Sequence, residues 1–159
     1  MSTSLTVDSR PVVLITGCSG GIGEATAMRF AREGYRVYAS MRNPSDISES
    51  LSETLEEGEG HKVLELDVDN CVSVKSAIKQ LRQETRRIDV LVNNAGISSI
   101  SSVEEIDMDE AKAVFETNVF GVLRVTQEVL PIMRGLKEGT LVNVSSVAGR
   151  LVTAGHGIY

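Results

Sequence analysis

Short apolar runs rich in β-branched residues alternate along the chain with longer segments in which apolar residues recur every three or four positions. The short runs have the length and composition of strands that are buried on both faces of a parallel sheet. The longer segments have the period of helices. Five strands are predicted by this pattern, at Pro11–Ile15, Tyr35–Met41, Lys62–Leu66, Ile88–Val92 and Thr140–Val144.

Four helical segments separate the predicted strands, at Gly21–Glu33, Pro44–Glu57, Cys71–Arg87 and Met108–Leu136. The third is amphipathic, with one face apolar and the other basic, and is therefore expected on the surface. Its apolar face holds Val74, Ala77, Ile78 and Leu81, and its basic face holds Lys75, Lys79, Arg82 and Arg86. The fourth is expected to bend near Pro131, because proline removes a helical hydrogen bond.

This alternation of strands and helices predicts an α/β fold, a doubly wound parallel sheet with helices on both faces, which is the Rossmann architecture. No linker divides residues 1–159, so a single domain is predicted, with residues 1–10 as a flexible N-terminal segment. Little chain follows the fifth strand, so the C-terminal part of such a sheet is expected to be missing. The fifth strand is then expected to form an exposed edge.

Composition narrows the classes of partner. A net charge of −6 and a pI near 5.0 argue against nucleic-acid binding, which needs a surplus of lysine and arginine. No apolar stretch approaches the ~20 residues that cross a bilayer, and the polar Met1–Arg10 segment is unlike a signal peptide. A soluble, cytoplasmic protein without a membrane span is expected.

The cysteines and histidines do not form a recognisable ligand set. Cys18 and Cys71 match neither a disulfide framework nor a metal-binding spacing, so both are predicted to be free thiols in packed surroundings. His61 and His156 are distant in sequence from each other and from both cysteines. No metal site is predicted.

A glycine-rich segment, Thr16 to Gly23, lies between the first strand and its helix. Glycines at this place permit a tight turn and let the backbone approach a pyrophosphate, which the free N–H groups at the helix N-terminus then hold. The hydroxyl of Ser19 adds a donor for a phosphate oxygen. By itself, the segment is equally consistent with an ordinary turn between a strand and a helix.

Other motifs follow the glycine segment in a fixed order: Asn93-Asn94-Ala95-Gly96 after the fourth strand, Asn118 within a helix, Ser145-Ser146 ending the fifth strand, and Tyr159. Together with the spacing Thr-Gly-x-x-x-Gly-x-Gly, they resemble the short-chain dehydrogenase family over residues 11–159. The resemblance implies an oxidoreductase that transfers hydride between a nicotinamide dinucleotide and an alcohol or carbonyl compound. It implies that the cofactor is bound by Thr16, Gly17, Ser19, Gly21, Ile22, Gly23, Asp67, Val68, Asn94, Ala95 and Gly96.

The end of the second strand bears on the choice of cofactor. An acidic residue there would bind the ribose hydroxyls of NAD, but this chain has Met41 followed by Arg42. A guanidinium can pair bidentately with a 2′-phosphate. NADP(H) is therefore favoured over NAD(H). Two alternatives stay open: use of both cofactors, and an Arg42 that is merely a surface arginine.

Reduction of a carbonyl group needs a proton donor and a hydrogen-bond donor at the oxygen that gathers charge. The resemblance implies that Tyr159 is the acid or base, that Ser146 polarises the carbonyl, and that Asn118 holds a water of the proton relay. The thirteen-residue interval to Tyr159 favours Ser146 over its neighbour Ser145.

The family has a lysine four residues after the tyrosine, which stabilises the phenolate, and the sequence ends before that position. The chain is therefore expected to be a fragment with residual activity at most. Similarity to hydroxysteroid and retinol dehydrogenases suggests an apolar steroid-, retinoid- or acyl-like substrate. Self-association into dimers or tetramers is expected by family analogy, and a non-catalytic dinucleotide-binding sensor or assembly module is the alternative function.

Overall fold

Five parallel strands form one sheet in this computed structural model, which describes residues 9–151 and 154–159. The flexible N-terminus predicted at residues 1–10 lies almost entirely outside the described residues. The strands are β1 (Val12–Thr16), β2 (Arg36–Met41), β3 (Lys62–Glu65), β4 (Val90–Asn93) and β5 (Thr140–Asn143). All five lie within two residues of their predicted bounds.

Helices cover both faces of the sheet: α1 (Gly21–Arg32), α2 (Glu49–Glu56), α3 (Cys71–Glu84), α4 (Met108–Phe115) and α5 (Val122–Leu136). Alternate residues of β1 enter different cores, because successive side chains of a strand point to opposite faces. Val13 and Ile15 pack with α1 and α2, whereas Val12 and Leu14 pack with α3 and α5. The predicted doubly wound α/β fold is confirmed. No helix in the described part of the chain is long and apolar enough to cross a membrane.

The strand order β3-β2-β1-β4-β5 determines where a ligand can bind. The chain winds outward from β1 through β2 to β3 and then crosses back to β4 on the other side of β1. The two connections leave β1 and β4 in opposite directions, which opens a crevice beyond their carboxyl ends. Strand β5 lies at one edge of the sheet, and its residues are exposed.

The helix predicted at Pro44–Glu57 is interrupted. A 3-10 turn occupies Pro44–Asp46, Ile47 and Ser48 are extended, and α2 begins at Glu49. The hydroxyl of Ser48 accepts a hydrogen bond from the amide of Leu51 and so caps α2. A cap this far into the segment ends the extended stretch and starts a new helix, so the prediction of one helix was wrong.

The helical stretch Met108–Leu136 also differs from the prediction. A π-helical turn at Glu116–Gly121 separates α4 from α5, whereas Pro131 lies inside α5. Single π turns insert an extra residue into a helix and are often found at functional sites. The irregularity is therefore about ten residues before the predicted bend, in the segment that carries Asn118.

The two cysteines have different surroundings. Both are free thiols, Cys18 buried in the glycine-rich segment and Cys71 exposed at the first residue of α3. The prediction of packed surroundings is confirmed for Cys18 and wrong for Cys71, because the first turn of an amphipathic surface helix also presents residues to solvent.

Candidate functional site

The glycine-rich segment connects β1 to α1 through a turn that only glycine fits. Gly17 has a φ of 73°, and a Cβ on this residue would lie 2.8 Å from the Cα of Ala95. A Cβ on Gly23 would lie 2.2 Å from the carbonyl oxygen of Gly17. Both glycines therefore permit backbone segments to approach more closely than any side chain allows.

Thr16 and Asn94 fasten the glycine segment to the end of β4. The Oγ1 of Thr16 accepts hydrogen bonds from the amides of Asn94 and Ala95, both at 3.0 Å. In return, the Nδ2 of Asn94 donates to the carbonyl oxygens of Thr16 and Gly17, at 2.9 and 3.0 Å. These four bonds fix the spacing between the two loops that border the crevice.

The first cavity lies between these loops and the end of β3 and has a volume of about 350 Å³. It brings together residues from five chain segments that the sequence places far apart. Its lining includes eight of the residues predicted to bind a cofactor: Gly17, Ser19, Arg42, Asp67, Val68, Asn94, Ala95 and Gly96. Thr16, Gly21 and Gly23 are not part of this lining. Thr16 and Gly23 are buried beneath the turn, and Gly21 begins α1.

Arg42 lies in the wall of the first cavity, directly after the buried Met41 at the end of β2. Its side chain is exposed and forms no ion pair with any carboxylate of the described residues. A cation without a protein partner at the edge of a cavity can bind an anionic group of a ligand.

The second cavity has a volume of about 500 Å³ and adjoins the first, sharing Asn94, Ala95 and Gly96 as a common wall. Asn118, Ser146 and Tyr159 all line it, although they come from three separate segments. Ile22 lines it as well. The rest of its wall is largely apolar and includes Val114, Phe115, Val119, Val122, Val144 and Ile158.

Ser146 precedes a 3-10 turn at Val147–Gly149, and its Oγ accepts a hydrogen bond from the amide of Ala148 at 3.1 Å. A hydroxyl that accepts one bond keeps its own proton for donation. This contact orients the Ser146 hydroxyl within the second cavity. Ser145 lines the same cavity, so the geometry leaves both serines beside it.

Asn118 lies in the π turn and is paired with the backbone of Ile97. Its Nδ2 donates to the carbonyl oxygen of Ile97 at 2.8 Å, and its Oδ1 accepts from the amide of Ile97 at 2.9 Å. This reciprocal pair occupies the side-chain amide and holds the π turn against the loop that follows β4. Asn118 is thereby held at the wall of the second cavity.

Several residues at the site were not predicted from the sequence. Asp69, Ile97 and Thr117 line the first cavity, and Thr117 is 6% exposed. Each is adjacent or nearly adjacent to a predicted residue, but no pattern in the sequence indicates that they meet. Among the described residues, no group of three or more His, Cys, Asp or Glu side chains could hold a metal ion.

Comparison with known proteins identifies relatives for almost the whole chain. A 3-ketodihydrosphingosine reductase of Bacteroides thetaiotaomicron is 35% identical over 148 residues, which cover 93% of this chain and 51% of the relative. A 3-oxoacyl-(acyl-carrier-protein) reductase of Thermotoga maritima is 42% identical over 143 residues, covering 87% and 56%. The chain therefore spans about half the length of the curated relatives it matches.

Solved structures have the same architecture. A variant of actinorhodin polyketide ketoreductase with NADPH superposes with a TM-score of 0.88 at 31% identity, covering 94% of this chain and 58% of that chain. A short-chain dehydrogenase of Streptomyces avermitilis superposes with a TM-score of 0.86 at 33% identity, covering 96% and 55%. The family model for short chain dehydrogenases matches residues 11–159. The chain therefore belongs to the short-chain dehydrogenase family, as its motifs predicted.

Proposed function

We propose that the protein to which this chain belongs is an NADP(H)-dependent oxidoreductase that interconverts an alcohol and a carbonyl compound. One observation carries this proposal: the two cavities adjoin through Asn94, Ala95 and Gly96. The first has a glycine-rich turn and an arginine in its wall, and the lining of the second includes the hydroxyl side chains of Ser146 and Tyr159. A ligand in the first cavity can therefore reach a substrate in the second.

The first cavity fits a dinucleotide. Gly17, Ser19 and Gly20 line it with the turn that precedes α1, and no side chain of the described residues caps the N-terminus of that helix. The amides of its first turn are thus available to a pyrophosphate. Arg42 is available to a 2′-phosphate, and the NADP dependence named for a 3-hydroxy acid dehydrogenase of Schizosaccharomyces pombe, 35% identical, supports this choice.

When bound, the nicotinamide supplies or accepts the hydride. The residues of the chain orient the substrate and handle the proton. In the direction of reduction, the hydroxyl of Tyr159 donates a proton to the substrate oxygen, and the hydroxyl of Ser146 donates a hydrogen bond to the same oxygen. The bond that Ser146 accepts from Ala148 leaves its proton free for this purpose.

The second cavity favours an apolar substrate. Its aliphatic and aromatic lining can remove a hydrocarbon portion from water, and this removal contributes binding free energy in proportion to the area buried. The reductases named above act on 3-ketodihydrosphingosine and on 3-oxoacyl groups, both of which carry acyl-like chains. We therefore propose a carbonyl or alcohol on an acyl-, steroid- or retinoid-like body.

We also propose that the protein self-associates through the segment from Val114 to Met133. Phe120 and Leu123 are 51% and 52% exposed on this segment. Exposed apolar side chains that lie close together are characteristic of interfaces. A dimer or tetramer would bury them.

The replacement Tyr159→Phe in the intact natural chain tests the proposed function. The change removes only a hydroxyl, so kcat should fall by about 10²–10⁴, the usual contribution of a general acid. The dissociation constant of NADPH should stay the same, because the first cavity is unaltered. Tyr35→Phe is the matched control, since Tyr35 packs against Phe30 away from both cavities and should leave kcat unchanged.

Turnover of the Tyr159→Phe variant at the rate of the wild type would exclude Tyr159 as the acid. A wild-type protein that binds NADPH but reduces none of a panel of aliphatic, steroid and retinoid carbonyl compounds would support the alternative, a non-catalytic dinucleotide-binding module.

A further inference from the structure

A link of polar contacts joins the wall of the first cavity to the π turn that carries Asn118. The loop after β3 supplies Asp67, Val68 and Asp69 to this wall. The Oγ1 of Thr117 donates a hydrogen bond to the Oδ2 of Asp69 at 2.9 Å. Thr117 is the residue directly before Asn118, so this bond connects the loop to the backbone of Asn118.

Arg124 makes a second connection between the same two segments. Its guanidinium donates to the carbonyl oxygen of Val68 and forms an ion pair with Glu116, the first residue of the π turn. The side chain of Arg124 is 20% exposed, so these contacts are partly shielded from solvent. Arg124 therefore spans the whole π turn while it holds the loop after β3.

Close packing adds a third connection. A Cβ on Gly121 would lie 2.9 Å from the Cγ2 of Val68, so the last residue of the π turn lies directly against the loop. On its other side, the π turn is held by the reciprocal hydrogen bonds between Asn118 and Ile97, which also lines the first cavity. The segment that carries Asn118 is thus fixed to two walls of the first cavity.

We propose that Thr117 and Arg124 are positioning residues, through which a dinucleotide bound against the loop Asp67–Asp69 holds Asn118 in place at the second cavity. This inference rests on the proposed function, because it assigns a regulating role to contacts within that same site. Neither Thr117 nor Arg124 is proposed to touch the substrate. Both act through Asn118, whose side chain is already occupied by Ile97.

Among the described residues, Thr117 and Arg124 make the polar contacts between the π turn and the loop after β3. A ligand that contacts Asp67, Val68 or Asp69 restricts the motion of this loop, and the Thr117 and Arg124 contacts pass that restriction to the π turn. Without them, the π turn responds to the ligand only through Ile97 and through the packing of Gly121 on Val68. Hydrogen bonds and packed side chains of this kind can carry coupling between two sites.

Hydrogen exchange of the intact natural chain, with and without NADPH, tests the proposal without measuring activity. At a concentration of about 100 times the dissociation constant, NADPH should slow exchange up to roughly 100-fold at amides that open only in the unliganded protein. In the wild type, we expect slowing both at residues 17–23 and at residues 116–122. In Thr117→Val, we expect slowing at residues 17–23 to persist and slowing at residues 116–122 to become clearly smaller than in the wild type.

Two controls separate the hydrogen bond from the shape of the side chain. Thr117→Ser keeps the hydroxyl and should restore the slowing at residues 116–122. Thr54→Val makes the same chemical change on α2, where the hydroxyl donates to the carbonyl oxygen of Ser50 within the same helix, and should behave like the wild type. If Thr117→Val does not fold, Asp69→Ala removes the same bond from an exposed position and carries the same expectation.

Steady-state kinetics give a second, independent readout. Arg124→Met should lower kcat by about 10- to 100-fold, as expected for a misplaced catalytic segment, while KM for NADPH stays within about threefold. Arg124→Lys keeps the charge and should recover part of kcat.

Hydrogen exchange distinguishes the positioning role of Thr117 from the proposed dinucleotide site. If NADPH slows exchange at residues 17–23 but Thr117→Val retains the slowing at residues 116–122, the positioning role is refuted and the proposed function stands. If NADPH does not slow exchange at residues 17–23 in the wild type, the dinucleotide site itself is refuted, and the positioning role with it.

Discussion

The side chain of Thr16 offers the sharpest test of how the site is built. Its Oγ1 accepts two backbone hydrogen bonds at 3.0 Å, from Asn94 and Ala95, and donates to the carbonyl oxygen of Val92 at 3.5 Å. Thr16 is only 2% exposed, so water cannot replace the lost oxygen. Thr16→Val keeps the shape and leaves two amides unsatisfied. Each unsatisfied amide costs about 1–3 kcal/mol, so the free energy of unfolding should fall by about 2–6 kcal/mol.

Urea denaturation of the intact natural chain measures this effect as a shift of the midpoint at constant slope. Thr16→Ser keeps the acceptor oxygen, so it should avoid most of the loss of stability expected for Thr16→Val. NADPH affinity should fall with Thr16→Val, because the same bonds fix the distance between the glycine-rich segment and the shared wall of the two cavities. A free energy of unfolding within about 0.5 kcal/mol of the wild type, the usual range for an inconsequential surface change, would refute this reasoning.

Two further predictions concern pH and thiol chemistry. Burial alone would raise the pKa of the Asp89 carboxyl, but hydrogen bonds from Arg87 and from the amide of Val12 lower it below its ordinary value. Asp89 therefore contributes stability above pH ~3.9 and loses it as the pH falls through the folded pKa. Asp89→Asn should lower the free energy of unfolding by about 1.5–3 kcal/mol at pH 7 and by less at pH 3. An equal loss of stability at the two pH values would contradict a lowered pKa of Asp89. Burial raises the pKa of Cys18 to about 12. Iodoacetamide at pH 8 should therefore label the exposed Cys71 and leave Cys18 unmodified. Equal labelling of the two cysteines would contradict this expectation.

The strands were predictable because their signal is local. The run Val12–Ile15 is apolar throughout, and such a run is typical of a strand buried on both faces. The helix boundaries were less predictable, because a cap depends on one side chain. Ser48 is the residue that caps α2. It also donates a hydrogen bond to the Oε1 of Glu24 on α1 at 2.5 Å, and no local pattern in the sequence indicates that contact.

The candidate site divides in the same way. The glycine-rich segment was predictable, because strand-to-helix turns that bind a phosphate need glycines at fixed positions, and Gly17 and Gly23 occupy such positions. The contact between Thr117 and Asp69 was not, because 48 residues separate them and their meeting depends on how α5 packs beside α3. The π turn was also missed, since its extra residue produces no break in the apolar period.

Titration of the intact natural chain with NADPH and with NADH shows whether it forms an NADP(H) site. We expect NADPH to bind more tightly. Arg42→Ala should narrow the ratio of the two dissociation constants by roughly tenfold or more, the value of one charge-assisted pair. Arg32→Ala, an exposed arginine of α1 outside both cavities, should leave the ratio unchanged. Equal binding of NADPH and NADH that Arg42→Ala does not alter, or binding of neither, would contradict the account.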